Sequence, residues 1–236
     1  MKKKTYMKKK TRIFKHVFLF CLIALIASFC NPKGYSRVSA ASKASYEIIN
    51  KKKTESNQNR TATYLYQLPQ LKGSSNAVKK INKSLKADYK STLESKKSLF
   101  WYFDNSNASY KDDYFCLYKC KVTYNQKGYI CFKYTCEWYA GGIHNGWEYG
   151  LTYRLKDGKK MGIQDVLAGN RKDAKKKIAN AYAKKISSLG YDPIMRMDYS
   201  DFKFYIKPGK KVIVCFGPYQ PMGGNGPASF KMKGKV

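Results

Sequence analysis

The sequence predicts an α+β fold, a single domain in which an antiparallel sheet carries two main amphipathic helices. Three observations predict it. Aromatic-rich runs, Tyr114 to Tyr124 and Tyr129 to Tyr139, flank Asn125-Gln126-Lys127-Gly128, which has hairpin chemistry. Two other stretches repeat apolar residues at helical spacing, starting at Val78 and at Ala174. Strands that meet at turns, with helices inserted between groups of strands, define this class, and no internal repeat or composition shift divides residues 61–236.

Residues 1–40 read as a signal peptide. MKKKTYMKKKTRIFKH is basic, and Val17 to Cys30 is apolar but shorter than the about 20 residues of a membrane span. Val38-Ser39-Ala40 offers small residues for cleavage before Ala41, and retention as an uncleaved anchor is the alternative. Residues 41–60, rich in Lys, Ser and Asn, read as a flexible tether. Residues 61–236 form the domain.

From Thr61, TATYLYQLPQL alternates as a strand that Pro69 stops. Ser74-Ser75-Asn76 supplies helix-capping side chains, and Val78, Ile81, Leu85, Tyr89 and Leu93 place one apolar face opposite a lysine face. The aromatic stretch after it packs Phe100, Trp101 and Phe103 under the sheet. In the hairpin, a three-residue loop of Gln126, Lys127 and Gly128, with Gly128 left-handed as a bulge, makes Asn125 face Tyr129. One face then carries Tyr114, Cys116, Tyr118, Cys120, Val122 and Tyr124 with Ile130, Phe132, Tyr134, Cys136 and Trp138. Lysines, threonines and Glu137 take the other. A loop centred on Gln126 and Lys127 would set each strand's apolar side against the other's polar side, so the first register is expected.

Trp147 to Leu155 is a third strand, closed by the turn Lys156-Asp157-Gly158-Lys159. Ile163 to Leu167 is a short helix. Arg171 to Leu189 is a longer one, with Ala174, Ile178, Ala181, Tyr182 and Ile186 on one face and Gly190 as its C-cap. Asp201 to Ile206 and Lys211 to Phe216 pair around Pro208-Gly209, and a short strand near Ala228 to Met232 ends the chain.

Charge bounds the partners. The chain has 47 Lys and Arg and 15 Asp and Glu, and residues 41–236 keep 37 basic against all 15 acidic residues, a net +22. For an exported protein this balance favours an anionic cell-wall polymer, or peripheral contact with a membrane surface. Arginine, whose bidentate fork suits phosphate and base readout, is scarce after residue 40, so nucleic acid is not expected. Five cysteines follow the leader, Cys116, Cys120, Cys131, Cys136 and Cys215. The number is odd, so at least one is free or pairs with another chain. A bridge inside the hairpin is open but strained, because diagonal neighbours lie about 7–8 Å apart, and small buried thiols filling a core are the plainer reading.

Three features are candidate binding sites. His144 lies in the glycine loop after the hairpin, with Tyr139, Gly141 and Gly142 before it and Trp147 after it. As a metal ligand it lacks a second histidine and an acid at a recognised spacing, so no metal or other cofactor is expected. As a base it would need an exposed thiolate, whereas three cysteines point into the expected core. The remaining role is structural, an imidazole bonded to loop backbone between Gly142 and Gly146. The loop at residues 217–227, with Tyr219 and Pro221, is either a recognition loop or a shaped connection. The 21 tyrosines can stack on sugar rings, yet alternating tyrosine is also ordinary for half-buried strands. No nucleophile elbow, phosphate loop, zinc-helix motif or paired-carboxylate constellation is present, so an enzyme is not expected.

YLYQLPQL with VKKINKSL, the hairpin VTYNQKGYICFKY, YAGGIHNGWEYGLTYRLKDGKKMGIQDVL, and DFKFYI with KVIVCFGPYQPMGG occur in an order similar to a known arrangement. Together with Tyr-x-Gly-Gly-x-His at Tyr139 to His144, they resemble the domain of unknown function found in the ectodomains of RsiV-type anti-sigma factors and the N-terminal region of PdaC-type peptidoglycan deacetylases. The resemblance implies an extracytoplasmic α+β domain of mainly Gram-positive bacteria, one branch of which is a lysozyme receptor. The sequence departs from both branches, with no cytoplasmic sigma-binding segment and no catalytic deacetylase domain. Lysozyme, typically basic, would be repelled at long range by a chain of net +22. The expected function is therefore a secreted or surface-retained, non-enzymatic domain that binds a wall polymer or an envelope protein. The alternatives are an accessory or enzymatic domain acting on peptidoglycan, and sensing or inhibition of a lysozyme-type hydrolase.

Overall fold

A computed structural model describes residues 43–57, 59–106, 112–142, 144–223 and 226–236. The expected signal peptide and its expected cleavage position lie outside the described residues. The fold is α+β, with a mixed five-stranded sheet, a three-stranded sheet and helices on each. The first sheet holds β1 (Tyr46–Ser56), β2 (Arg60–Leu71), β3 (Asp112–Gln126), β4 (Tyr129–Tyr139) and β5 (Asn145–Arg154) in that spatial order. Its pairs are antiparallel except β2 with β3, which run parallel. A crossover of two helices, α1 (Asn76–Ser91) and α2 (Leu93–Asn105), makes that parallel pair possible. Among the described residues no helix is long and apolar enough to cross a membrane.

The expected tether is in large part strand β1, paired with β2 from Tyr46↔Leu71 to Ser56↔Thr61. Its composition hid it. As an edge strand wet on both faces, β1 needs no apolar side, and Lys51 to Lys53 are the charges that keep an edge from recruiting another strand. Asn125 ties the start of this segment down, donating to the Ala44 carbonyl and accepting from its N–H, each at 2.8 Å. Pro69 does not end β2. It lies beyond the last β3 pairing, at Tyr66, where the ladder is one-sided and a missing N–H costs little.

Helix α1 begins as expected, with Ser75 Oγ accepting the Val78 N–H at 3.2 Å, and buries Ile81 and Leu85. Asn82 clasps the Leu71 backbone at 2.9 Å in both directions and so fixes α1 to the end of β2. Leu93 opens α2, whose buried face is Leu99, Phe100 and Phe103. Trp101, expected under the sheet, is 60% exposed because it lies on the opposite side of that helix from the buried trio.

The hairpin keeps the expected pairing from Phe115↔Tyr139 to Val122↔Phe132 but reaches it differently. Its loop is two residues, Lys127 at φ 52° and Gly128 at φ 76°, flanked by Gln126↔Tyr129. Two positive φ values make the turn whose twist matches the strands. The residue gained is absorbed by a bulge between Val122 and Tyr124. That bulge turns Tyr124 over. It joins Cys131 in the second core, while Tyr114, Cys116, Tyr118, Cys120, Ile130, Phe132, Tyr134 and Cys136 bury against α1 and α2.

The second core lies under β6 (Lys203–Lys207), β7 (Lys211–Phe216) and β8 (Ala228–Lys233), an antiparallel sheet in that order. With it pack α3 (Ile163–Val166), α4 (Ala174–Lys185) and α5 (Tyr191–Arg196). α4 ends earlier than expected, leaving Ile186 and Leu189 exposed, and a 3-10 turn at Ser188–Gly190 leads into α5. Gly190 is not a left-handed cap, since its φ is −79°. It is required because a Cβ there would lie 2.2 Å from the Tyr182 ring.

Candidate functional site

A cleft of about 1110 Å³ opens where the two sheets meet. Strand β5 is an edge of the first sheet, and the cleft runs along it, so side chains from both faces of β5 reach it. The helix side contributes Asp88 from the end of α1 and Glu94, Ser95, Ser98 and Tyr102 from α2. Tyr118, Trp138, Trp147 and Tyr149 line the sheet side, and Tyr199, Phe202, Lys203, Phe204 and Tyr219 close it from the second sheet.

Each wall is positioned by local packing. Trp147 pairs with Cys136 across the ladder and sets its ring edge-on to Tyr118, centroids 6.1 Å apart. Tyr149 stacks on its ladder partner Tyr134 at 4.8 Å and 8°. Gly150 lets the sheets approach, because a Cβ there would stand 2.4 Å from the Phe204 carbonyl oxygen. Tyr102 and Tyr219 are 47% and 56% exposed, so their faces are open to solvent.

At the cleft wall Asp88 organises a hydroxyl cluster. Tyr66 and Tyr149 both donate to its Oδ2 at 2.7 Å, and Tyr66 also lies 2.9 Å from the Tyr134 hydroxyl. Burial, and then the negative charge of Asp88, pushes both Tyr66 and Tyr149 well above the usual phenol range, so they remain protonated donors. On the other face of β5, Glu148 pairs with Lys133 and accepts from the Tyr205 hydroxyl at 3.2 Å.

The structure separates the expected site residues. Trp147 and Tyr219 share the cleft. Tyr139, Gly141, Gly142, His144 and Pro221 do not line it. Tyr139 packs on Phe115 at 5.8 Å, on the sheet face away from Trp147, and His144 meets the same ring edge-on at 5.5 Å. The His144 side chain is 56% exposed and its Nε2 lies 3.9 Å from Glu137 Oε2, so its neighbours are Phe115 and Glu137 rather than the expected loop carbonyls. Ile143, in the same loop, lies outside the described residues. Gly141, at φ +81°, is required by both its backbone and the Tyr114 hydroxyl, 2.7 Å from where a Cβ would stand. Gly142 has open space around it. In the 217–227 loop, Gln220 Oε1 accepts the Gly217 N–H at 3.2 Å. Pro221 follows a cis peptide bond, and Gly224 and Asn225 lie outside the described residues.

All five described cysteines are free and buried. Burial pushes Cys116, Cys120 and Cys215 up to about 12 and raises Cys131 and Cys136 as well, so none is a thiolate at neutral pH. Asp88, Glu148, Tyr102 and Tyr149 were absent from the expected site. Their sequence signal was weak, since an acid at the end of a helix and tyrosines in a strand are ordinary features until the crossover sets them side by side.

No protein-family model matches the sequence, and no curated protein matches it. Among solved structures, a member of the DUF3298 family from Bacteroides fragilis is similar at 11% identity and a TM-score of 0.52, covering 80% of this chain and 90% of that one. A DUF3298 family protein from Pseudomonas aeruginosa is similar at 12% identity and a TM-score of 0.48, covering 82% and 91%. At this identity the likeness is one of fold: the chain shares the α+β architecture of a DUF3298 family protein from Bacteroides fragilis, a family defined as a domain of unknown function.

Proposed function

We propose that this protein is an exported or surface-retained, non-enzymatic domain that binds a cell-envelope polymer through the cleft along β5. The observation that carries this reading is the cleft itself. It is about 1110 Å³ in volume and walled by aromatic faces from α2, β3, β4, β5 and the 217–220 loop, with hydroxyls and carboxylates set between them. Apolar walls with a few placed polar groups are the usual form of a ligand site. The net +22 of residues 41–236 supplies long-range attraction to an anionic envelope, and the cleft supplies specificity. The leader, and the resemblance to the RsiV and PdaC domains, support export and an envelope setting.

The test is retention of the purified protein on isolated cell wall across a salt series. Retention should fall with salt and level off at a salt-resistant fraction. Tyr102→Ala combined with Tyr219→Gly, at two exposed positions, should abolish that fraction while leaving the thermal midpoint unchanged. Complete loss of wild-type retention at moderate salt would leave attraction by charge alone and defeat recognition by the cleft.

A further inference from the structure

The charge of the cleft runs against that of the rest of the chain. Three of the 15 acidic residues line it, Asp88, Glu94 and Glu148, with Lys160 and Lys203 as its cations. Two of the three are already paired, Glu94 with Lys97 at 2.7 Å and Glu148 with Lys133. Asp88 differs. Its described partners are the two tyrosine hydroxyls, both on Oδ2, and among the described residues it makes no ion pair and its Oδ1 takes no hydrogen bond. In a chain with 47 lysines and arginines, this cleft carboxylate has been left without a cation.

A carboxyl group that takes both neutral donors on Oδ2 keeps Oδ1 as an open acceptor with no cation beside it, so it favours a cationic donor over a second anion. A phosphate or carboxylate ligand would have to sit beside like charge. The surrounding walls favour flat, mostly neutral rings: Trp147 and Tyr149, the latter backed by the buried Tyr134 ring, line the sheet side, and the open faces of Tyr102 and Tyr219 stand at the rim. The lysine-rich remainder of the surface repels a polycation, so the amine must be isolated on an otherwise neutral chain. Resting on the reading of the cleft as the envelope-binding site, we propose that it takes an amino-sugar oligosaccharide in which one sugar carries a free, protonated amine. That amine pairs with Asp88, and neighbouring pyranose rings lie against the aromatic faces.

The experiment measures binding of the purified protein to three probes at physiological salt by titration calorimetry. They are fully N-acetylated chitotetraose, the same oligosaccharide lacking one acetyl group, and poly(glycerol phosphate). The amine-bearing probe should bind about tenfold more tightly than its acetylated parent, the change one charge-assisted hydrogen bond supports. Asp88→Asn keeps an acceptor for the two tyrosines and should erase that difference while leaving chitotetraose binding in place. Tyr102→Ala should weaken both sugars together. Equal affinity for the two sugars on the unmodified protein, a comparison that needs no variant, would overturn the inference. So would a preference that survives in Asp88→Asn, or displacement of the bound sugar by poly(glycerol phosphate). Salt-resistant wall retention without an amine preference would defeat this inference alone, whereas loss of salt-resistant retention would defeat the envelope-binding reading with it.

Discussion

Gly150→Ala tests the junction that creates the cleft. The added Cβ would stand 2.4 Å from the Phe204 carbonyl oxygen, 2.6 Å from Tyr205 Cβ and 3.0 Å from Tyr205 Cα. Ordinary contact is about 3.5–4.0 Å, so β5 and β6 must separate by about 1 Å. Two of the three atoms are backbone and the third is fixed to it, so no flexible side-chain end can yield. Overpacking that shifts backbone costs about 1–3 kcal/mol, and the upper part of that range applies here. For a domain of this size each kcal/mol lowers the thermal midpoint by about 2–4 °C, so a cost of 2–3 kcal/mol is a fall of about 4–12 °C. Gly142→Ala is the control, with no atom within 4 Å of its added carbon, and should stay within about 0.5 kcal/mol of wild type. Calorimetric melting of the three proteins decides it. A Gly150→Ala midpoint indistinguishable from that of Gly142→Ala would refute the close approach of the two sheets.

Three further outcomes are expected. The five described thiols should not react with a disulfide reagent at pH 8 in the folded protein and should all react in denaturant; of the chain's seven thiols, a native count above the two of Cys21 and Cys30 would contradict that burial. Because burial raises the Cys116 thiol from 9.0 to about 12, ionisation above pH 9 favours the unfolded chain: its stability is complete below pH 9 and is lost as the pH climbs towards 12. The difference in unfolding free energy between wild type and Cys116→Ala, from urea titrations, should therefore shrink by at most about 1.4 kcal/mol per pH unit across that window, and a flat difference would exclude the raised thiol. Lys127→Asn places a residue tolerant of positive φ at the first position of the hairpin turn and should raise the urea midpoint by the equivalent of about 0.5–1 kcal/mol; a lower midpoint would argue for a different turn.

Much of the architecture was legible because the relevant signals are local. Alternation in β3 and β4 and the spacing of Ile81 and Leu85 depend on neighbours a few residues away. The pairing of Cys116 with Trp138 followed from keeping apolar faces together, and it held although the turn is one residue shorter than expected, because the bulge near Thr123 restores the count. What was illegible depends on distant partners. β1 is a strand because β2 pairs with it, not because its own sequence has an apolar face. Gly190 reads as a helix cap until the Tyr182 ring is seen against it. The site divides in the same way. Trp147 and Tyr219 were found as aromatics near turns, whereas Asp88, some 60 residues before Tyr149, gains its meaning when a crossover brings it to that hydroxyl.

The crossover also sets an order of assembly. β1 with β2, and β3 through β5, are each joined by short connections, so each can pair at small cost in loop entropy. The seam between them, Arg60–Tyr66 against Asp112–Tyr118, encloses both α1 and α2 in its loop. Such a contact is slow to form and waits until the helices have shortened the path between its ends. Since α1 and α2 also carry Asp88 and Tyr102, the event that zips the sheet is the one that sets the helix wall of the cleft in place. In pulse-labelled refolding, amides of β4 and β5 should gain protection before those of the seam.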